Sequence, residues 1–287
     1  MILDRIRDKM GTLTDSQKRV AQYILSDPEA AASLTAAKLA EASQVSEATV
    51  IRFANYMGFI RYSMLRKELK MLLQGTMSQM ERLSRGNKQN CQSNMMQQVT
   101  HSMRTDIRSI EKTLAGLKEE DLARAVEWLT TARRVYVAGS HSEYGIACYF
   151  ASTLGWIRDN VCLLDQTHLP TFDSPAQADE SDLIVAMSFP PYPAATVRYL
   201  QAVRARGGKA IAITDSPLSP LARQADCSFY ACDEKLSFAD NSAPTVSLLS
   251  ALLALVSNEN PVESSAKLAE KQKYWEELDF YFKDPTS

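Results

Sequence analysis

Apolar residues in the first quarter of the chain recur at helical spacing, and each run opens behind a residue able to cap it. In "LTDSQKRVAQYILSD", Thr14 stands as cap and Val20, Ile24 and Leu25 fall on one side. After Pro28, "LTAAKLAEAS" starts behind Thr35 and runs through Leu39 and Ala40. "VSEATVIRFANYMGF" places Ser46 before a short helix whose apolar face is Val50, Phe53, Ala54 and Met57, with Glu47 in its first turn. "YSMLRKELKMLLQ" then spaces Leu65, Leu69 and Leu72 as a helix does. Residues 1–74 are therefore expected to be helical throughout, a domain of their own. Over residues 75–94 the composition turns to Gln, Ser, Asn, Met and Gly, the mark of a linker that is partly helical at its far end.

Beyond Arg133 the period changes. "RVYVAG", "DLIVAMS" and "KAIAITD" are short apolar runs that end in small or polar residues, each followed by a helical segment. "VCLLD" and "CSFYAC" add two more, for about five strands. Such alternation predicts a parallel sheet covered by helices on both faces. The fold class expected is α plus α/β: an all-helical domain at 1–74, a linker at 75–104, and a doubly wound domain at 105–287. "NSAPTVSLLSALLALV" reads as a largely buried helix with Asn241 and Ser242 near its start. The last helix, with Trp275, Phe280, Tyr281 and Phe282, carries more aromatic surface than a free tail should show, and is expected to pack on a neighbouring domain or subunit.

Composition narrows the class. With 45% hydrophobic and 23% charged residues among 287, the chain has the balance of a globular protein large enough for two domains. The strongest apolar stretch, residues 246–256, is broken by Ser247 and Ser250 and falls short of the roughly 20 residues a membrane span requires. "MILDRIRDKMG" lacks the uncharged core of a secretory signal, so a cytoplasmic location with no membrane partner is expected. Cys91, Cys148, Cys162, Cys227 and Cys232 form no CxxC pair and suit reduced, buried thiols. His101, His141 and His168 show no ligand spacing, so neither a metal site nor a cofactor is expected. The net charge is −2, yet residues 1–74 hold eleven Lys and Arg against eight Asp and Glu, an asymmetry that points to a nucleic-acid-binding end.

The two short helices around Ser43, Gln44 and Val45 make that end specific. A three-residue connection between a helix ending near Ala42 and one capped by Ser46 is a helix-turn-helix, whose second helix enters the major groove. Small Ala40 permits a close crossing, and Val45 and Val50 plug the core beneath it. Gln44 occupies the turn position where Gly often adopts a left-handed conformation, at a cost of about 1 kcal/mol. The outward face is expected to show Glu47, Ala48, Thr49, Arg52 and Asn55. Expected contacts to a double-stranded DNA operator are Lys38, Ser46, Glu47, Thr49, Arg52 and Asn55, with Arg66, Lys67 and Lys70 tracking phosphates on the next helix. A plain helical hairpin with a solvated Arg52 is the alternative.

"LTAAKLAEASQVSEATVIRFANYMGF" followed by "YSMLRKEL" resembles the N-terminal domain of RpiR-type bacterial transcriptional regulators, with Thr49, Val50, Arg52, Phe53, Gly58 and Phe59 matching that family's pattern. The resemblance continues through a sugar isomerase (SIS) domain and covers nearly the whole chain. It implies a homodimeric or homotetrameric DNA-binding regulator whose SIS domain binds a phosphosugar or related sugar-derived effector. It also implies that the "NSAPTVSLLSALLALV" helix helps form the subunit interface.

In an open parallel sheet, ligands sit beyond the carboxyl ends of the strands. The first loop there is "GSHSEYG", residues 139–145, where Ser140 and Ser142 can present hydroxyls to an anion. Against the SIS pattern Gly-x-Gly-x-Ser, Gly139 fits, His141 replaces the second Gly, and Glu143 stands where the phosphate-binding Ser would be. A carboxylate there would repel a dianion by roughly 1 to 4 kcal/mol at about 4 Å. In the second loop, "SFPPYPAATV" at 188–197, Ser188 and Thr196 match the family, while Pro190 and Pro191 replace Ser and Gly and remove two N–H donors. Tyr192 offers a ring or a hydroxyl instead.

These departures imply a ligand less anionic than a simple sugar phosphate, or one anchored differently. Ser142 and Ser188 are also natural helix caps, and Ser219 with Pro220 reads as a structural helix start. Thr214 and Asp215 end a strand and can reach the crevice. An isomerase would use His141 or Glu143 as general base, but no acid–base pair beside a phosphate cradle is visible, so no catalytic residue is assigned. A scaffold that pairs DNA-binding heads without sensing anything is a third reading.

Overall fold

The computed structural model describes residues 2–76, 80, 83, 94–165, 173–232, 234 and 238–282, with the backbone alone for 4, 29 and 70–76. The side chains of Lys70 and Leu72, half of the expected linker, Cys91 and His168 lie outside the described residues. The chain divides into two compact units, Met1–Ser78 and Gln79–Ser287.

The first unit is all helical: α1 (Ile2–Lys9), α2 (Asp15–Ser26), α3 (Pro28–Ser33), α4 (Ala36–Ala42), α5 (Glu47–Tyr56) and α6 (Tyr62–Thr76). The predicted caps all form. Thr14 makes a reciprocal capping box with Gln17, Thr35 Oγ1 accepts from the Lys38 N–H at 3.3 Å, and Ser46 Oγ accepts from the Thr49 N–H at 3.3 Å. Val20, Ile24, Leu39, Val50, Phe53, Met57, Leu65 and Leu69 are fully buried in one core. Ile2 and Ile6, one helical turn apart on α1, join them, so the segment read above only for its lack of a secretory signal is an amphipathic core helix.

The second unit is the expected doubly wound sheet. Strands β1 (Val135–Gly139), β2 (Val161–Leu163), β3 (Leu183–Met187), β4 (Lys209–Thr214) and β5 (Cys227–Tyr230) lie parallel in the order β2-β1-β3-β4-β5. Helices α7 (Met95–Ala115), α8 (Glu119–Thr131), α9 (Ser142–Ile157), α10 (Ala194–Arg204), α11 (Ala243–Glu259) and α12 (Pro261–Glu277) surround it. Strand residues alternate between two cores. Val135, Val137, Leu183 and Val185 face α8, α9 and α11, while Tyr136, Ala138, Ile184 and Ala186 face α10.

Residues 95–104, read above as linker, are the first half of α7. Its Thr105, Ser109 and Thr113 are buried, and Thr113 Oγ1 accepts from the Cys232 N–H at 2.9 Å. At the opposite end of the sheet from the crevice, Arg133 Nε donates to the buried Asp182 carboxylate at 2.9 Å and its Nη2 at 2.6 Å. The segment around Ser219 and Pro220 forms turns rather than a helix, although Ser219 Oγ still accepts the Ala222 N–H at 3.0 Å.

Candidate functional site

In the first unit the turn between α4 and α5 is built as the spacing requires. Gln44 has φ of 54°, its N–H donates to Glu41 O at 3.1 Å, and the Val45 N–H donates to Ala40 O at 2.9 Å. These two bonds are the Schellman pair that closes a helix C-terminus, here on a glutamine. α5 ends the same way: Gly58 has φ of 86°, its N–H reaches Asn55 O at 2.9 Å, and the Phe59 N–H reaches Ala54 O at 3.0 Å. Arg5 and Lys9 of α1 donate to the Met57 and Tyr56 carbonyls at 2.7 and 3.2 Å, placing two cations on the negative end of the α5 dipole.

The outward face of α5 differs from the sequence reading at two positions, Thr49 and Ile51. Thr49 is buried, and its hydroxyl pairs with Ser46 Oγ at 2.9 Å in the cap, because helical rotation turns it toward the N-terminal turn instead of solvent. Ser46 likewise spends its oxygen on the cap. The Asn55 side chain is exposed as expected, and its amide lies within 2.8 Å of the Phe59 carbonyl and 3.2 Å of the Ile60 carbonyl, where its nitrogen can donate to the helix end. Exposed on this helix are Glu47, Ala48, Ile51, Arg52, Asn55 and Tyr56, with Ile51 at 42%. Ile51 carries no signal in the sequence pattern, because it falls off the apolar stripe of Val50, Phe53, Ala54 and Met57. Lys38 and Lys67 are also exposed, and Arg66 is half-buried.

In the second unit the strand order reverses between β1 and β3, and the loops after those strands hold most of the predicted ligand residues. Gly139 and Met187 are register partners, so Ser140 and Ser188 leave the sheet side by side. Gly139 is required here: a Cβ would come within 2.5 Å of the Glu143 carbonyl oxygen. Thr196, expected in a loop, lies in the first turn of α10, buried, and donates across the crevice to Ser140 Oγ at 2.8 Å. Ser188 is fully buried, and its Oγ has no hydrogen-bond partner among the described residues. A buried hydroxyl left unpaired costs about 1–3 kcal/mol unless a ligand or water supplies the partner.

Glu143 departs most from expectation. α9 begins at Ser142, inside the stretch 139–145 read above as a loop and four residues earlier than that loop would allow, so Glu143 sits buried in the helix's first turn rather than lining an open loop. Ser142 Oγ lies 3.1 Å from Glu143 Oε1 and 3.0 Å from Asp240 Oδ2, a contact that spans 98 residues of sequence. His141 is exposed and holds φ of 63° at the helix start, with no side-chain cap bond. Tyr192 OH donates to Asp215 Oδ1 at 2.8 Å, and burial together with that carboxylate pushes its pKa well above the ordinary tyrosine range. Thr214 Oγ1 donates to Ser188 O at 2.8 Å, tying the β3 and β4 ends together. Tyr144 OH donates to Asp165 Oδ2 at 2.9 Å, and this bond, with burial second, raises its pKa to about 12.

Two family descriptions match the chain: "Helix-turn-helix domain, rpiR family" over residues 1–79 and "SIS domain" over residues 128–257. A helix-turn-helix-type transcriptional regulator of Caldanaerobacter subterraneus is 27% identical over 239 residues, covering 83% of this chain and 82% of its own. The regulator HexR of Pseudomonas aeruginosa is 25% identical over 224 residues, covering 77% and 75%. Among solved structures, the Vibrio vulnificus NanR protein complexed with ManNAc-6P superposes with a TM-score of 0.59 at 22% identity, covering 97% of this chain and 99% of that one. The sugar isomerase domain of an RpiR transcription factor from Sphaerobacter thermophilus gives 0.58 at 25% identity, covering 61% and 97%.

Proposed function

Because the chain belongs to the RpiR-type transcriptional regulators, joining an rpiR-family helix-turn-helix domain to a SIS domain, we propose that α5 reads a DNA operator while the β1/β3 crevice holds a sugar with an anionic head, as two-fold paired chains.

The observation that carries the sensing half is the hydroxyl cluster at the switch point: Ser140 and Thr196 joined across the crevice, with Ser188 buried beside them and unpartnered among the described residues. α9 and α10 both begin at this place, and each presents the positive end of its dipole and the free N–H groups of its first turn. Phosphate is the first head group to test. NanR was solved with a sugar phosphate, and burial of Glu143 behind Ser142 weakens, without removing, the repulsion that argued against one. Glu143 and Asp240 remain close behind Ser142 and set a preference for sugar hydroxyls or an amine nearby.

The DNA half rests on the exposed Arg52, Ile51, Ala48 and Glu47 of a helix locked at both ends by caps. Arg52 suits a guanine edge, and Ile51 with Ala48 suits a thymine methyl. The burial of Glu143 under a Ser142 hydrogen bond supports a sensor over an isomerase, because a general base must reach substrate. The test is selection of genomic fragments by the purified protein, followed by titration with sugar phosphates, sugar acids and neutral sugars. Enrichment of no fragment would overturn the reading, and indifference of DNA binding to every sugar class would remove its sensing half.

A further inference from the structure

We propose that Asp240 and Asn241, consecutive in the connection between β5 and α11, couple the ligand crevice to α7, a proposal that rests on the sensing reading above and names the residues that carry its signal. The two have partners in different places. Ser142 Oγ, at the start of α9 in the crevice, lies 3.0 Å from Asp240 Oδ2. Asn241 Nδ2 donates to Ser109 Oγ of α7 at 3.4 Å, and its Oδ1 accepts the Ala243 N–H at 3.2 Å where α11 begins. The same connection holds α7 twice more: the Cys232 N–H donates to Thr113 Oγ1 at 2.9 Å, and Glu234 accepts from Lys112 Nζ at 3.0 Å.

α7 is seated in a way that suits a moving part. Its buried face is Thr105, Ser109 and Thr113, and the two threonine hydroxyls donate to carbonyls of their own helix, His101 O and Ser109 O, both at 2.9 Å. Among the described residues no apolar side chain of α7 is buried: Met103, Ile107 and Leu114 are exposed and Ile110 is half-buried. Interdigitated apolar side chains fix a helix in one position. A helix seated on hydroxyls instead shifts or opens when one or two of its hydrogen bonds are lost. Of the helices α7 to α12 it is also the nearest in sequence to the helix-turn-helix unit, so a change in its seating is passed to the chain that joins the two units.

The trigger is Ser142. Its hydroxyl has one proton, while Glu143 Oε1 at 3.1 Å and Asp240 Oδ2 at 3.0 Å both stand within reach, so two carboxylates compete for one donor. An anionic head group seated at the start of α9 takes that proton and sets a like charge beside Asp240. Asp240 then moves away from the crevice, and Asn241, its Cα about 3.8 Å from that of Asp240, moves with it. The Asn241–Ser109 bond, already long at 3.4 Å, is the contact that gives. Occupancy thus favours the state of α7 that lacks this bond, and DNA binding responds as far as the helix-turn-helix unit distinguishes the two states.

Hydrogen exchange of the full chain, with no ligand added, reads the coupling. Ser142→Ala removes the donor that holds Asp240 and so imitates occupancy. It should speed exchange of the α7 amides at 105–113 by about three- to tenfold, the range for one lost hydrogen bond, with β1 and β3 unchanged. In a Ser109→Ala background, which cuts the link and keeps Asn241 at the start of α11, the same substitution should change them by less than about twofold. Ser142 is exposed, so its loss spares the fold, and Asp240→Ala opens the crevice end a second way with the same pair of results expected. Unchanged α7 exchange in both crevice variants, or equal acceleration with and without Ser109, overturns the proposal. The same chains are titrated with genomic fragments selected by the parent. Operator affinity should respond to Ser142→Ala only when Ser109 is present; a response that ignores Ser109, or none at all, also overturns it. Failure of the parent to bind any fragment would instead sink the regulator reading and leave the exchange result standing.

Discussion

Thr196 on α10 donates its hydroxyl proton to Ser140 after β1 at 2.8 Å, bridging 56 residues of sequence across the point where strand order reverses. The bond leaves the Ser140 proton free to point at a ligand, and it fixes the separation of the two loops. Replacing Thr196 with Val removes the donor and keeps the shape. Effector affinity should fall by about 0.5–1.5 kcal/mol in calorimetry against sugar phosphates. Unchanged affinity would place the ligand elsewhere.

Ser188 gives a prediction with opposite signs in two measurements. Its hydroxyl is buried without a partner among the described residues, so Ser188→Ala should leave urea stability of the ligand-free protein unchanged or raise it by up to about 1 kcal/mol. The same substitution should weaken effector binding. A loss of both stability and affinity would mean the hydroxyl is paired in the free protein.

Glu143 sits behind Ser142 together with Asp240, so removing its charge lowers the negative potential at the crevice. Glu143→Ser should raise affinity for a phosphorylated sugar relative to the neutral sugar of the same skeleton, and Ser142→Ala should lower affinity for both. Calorimetry on matched pairs reads the ratio directly. An unchanged ratio would show that the carboxylate does not reach the ligand.

On the DNA side, Arg52→Ala should cost roughly 1 to 3 kcal/mol on the operator and much less on unrelated DNA. Ile51→Ala should weaken operator binding with no change in salt slope, since no phosphate contact is lost. Lys67→Ala should weaken all sequences alike and flatten the slope. Gel-shift titrations across salt concentrations separate the three, and equal operator binding by Arg52→Ala would end the recognition-helix assignment.

The left-handed Gln44 predicts a gain. Gln44→Gly should stabilise the protein by about 0.5–1 kcal/mol, whereas Gly58→Ala should destabilise it by about 1–2 kcal/mol, because a Cβ is disfavoured at positive φ. Urea melts decide both.

The pair of Arg133 and Asp182 predicts acid sensitivity. Burial of Asp182 by itself would raise its pKa, but the Arg133 guanidinium and the Asp179 N–H outweigh that and hold it below the ordinary carboxylate value. A depressed folded-state pKa stabilises fully above the unfolded value of about 4 and is lost as pH falls below it. Stability from pH 5 downward should therefore drop more steeply in the parent than in Arg133→Leu. Parallel profiles would remove the pair as the cause.

Sequence alone determined most of the elements, though not the start of α7 or α9, nor the turns at Ser219. Thr14, Thr35 and Ser46 cap the helices they were expected to cap, Gln44 takes the left-handed turn, and five apolar runs become five parallel strands. Capping, turn geometry and strand alternation are settled between residues a few positions apart, so one stretch of chain contains all the partners it needs. Only tertiary structure decided which way individual side chains point once several elements compete for them. It buried Thr49 in a cap, turned Glu143 into a helix beneath Ser142, brought Asp240 to that serine from 98 residues away, and left the apolar face of α7 outside while its hydroxyls went in. Those outcomes depend on packing between elements far apart in the chain, where a hydrogen bond or an apolar contact is made by proximity in space and no local periodicity records it.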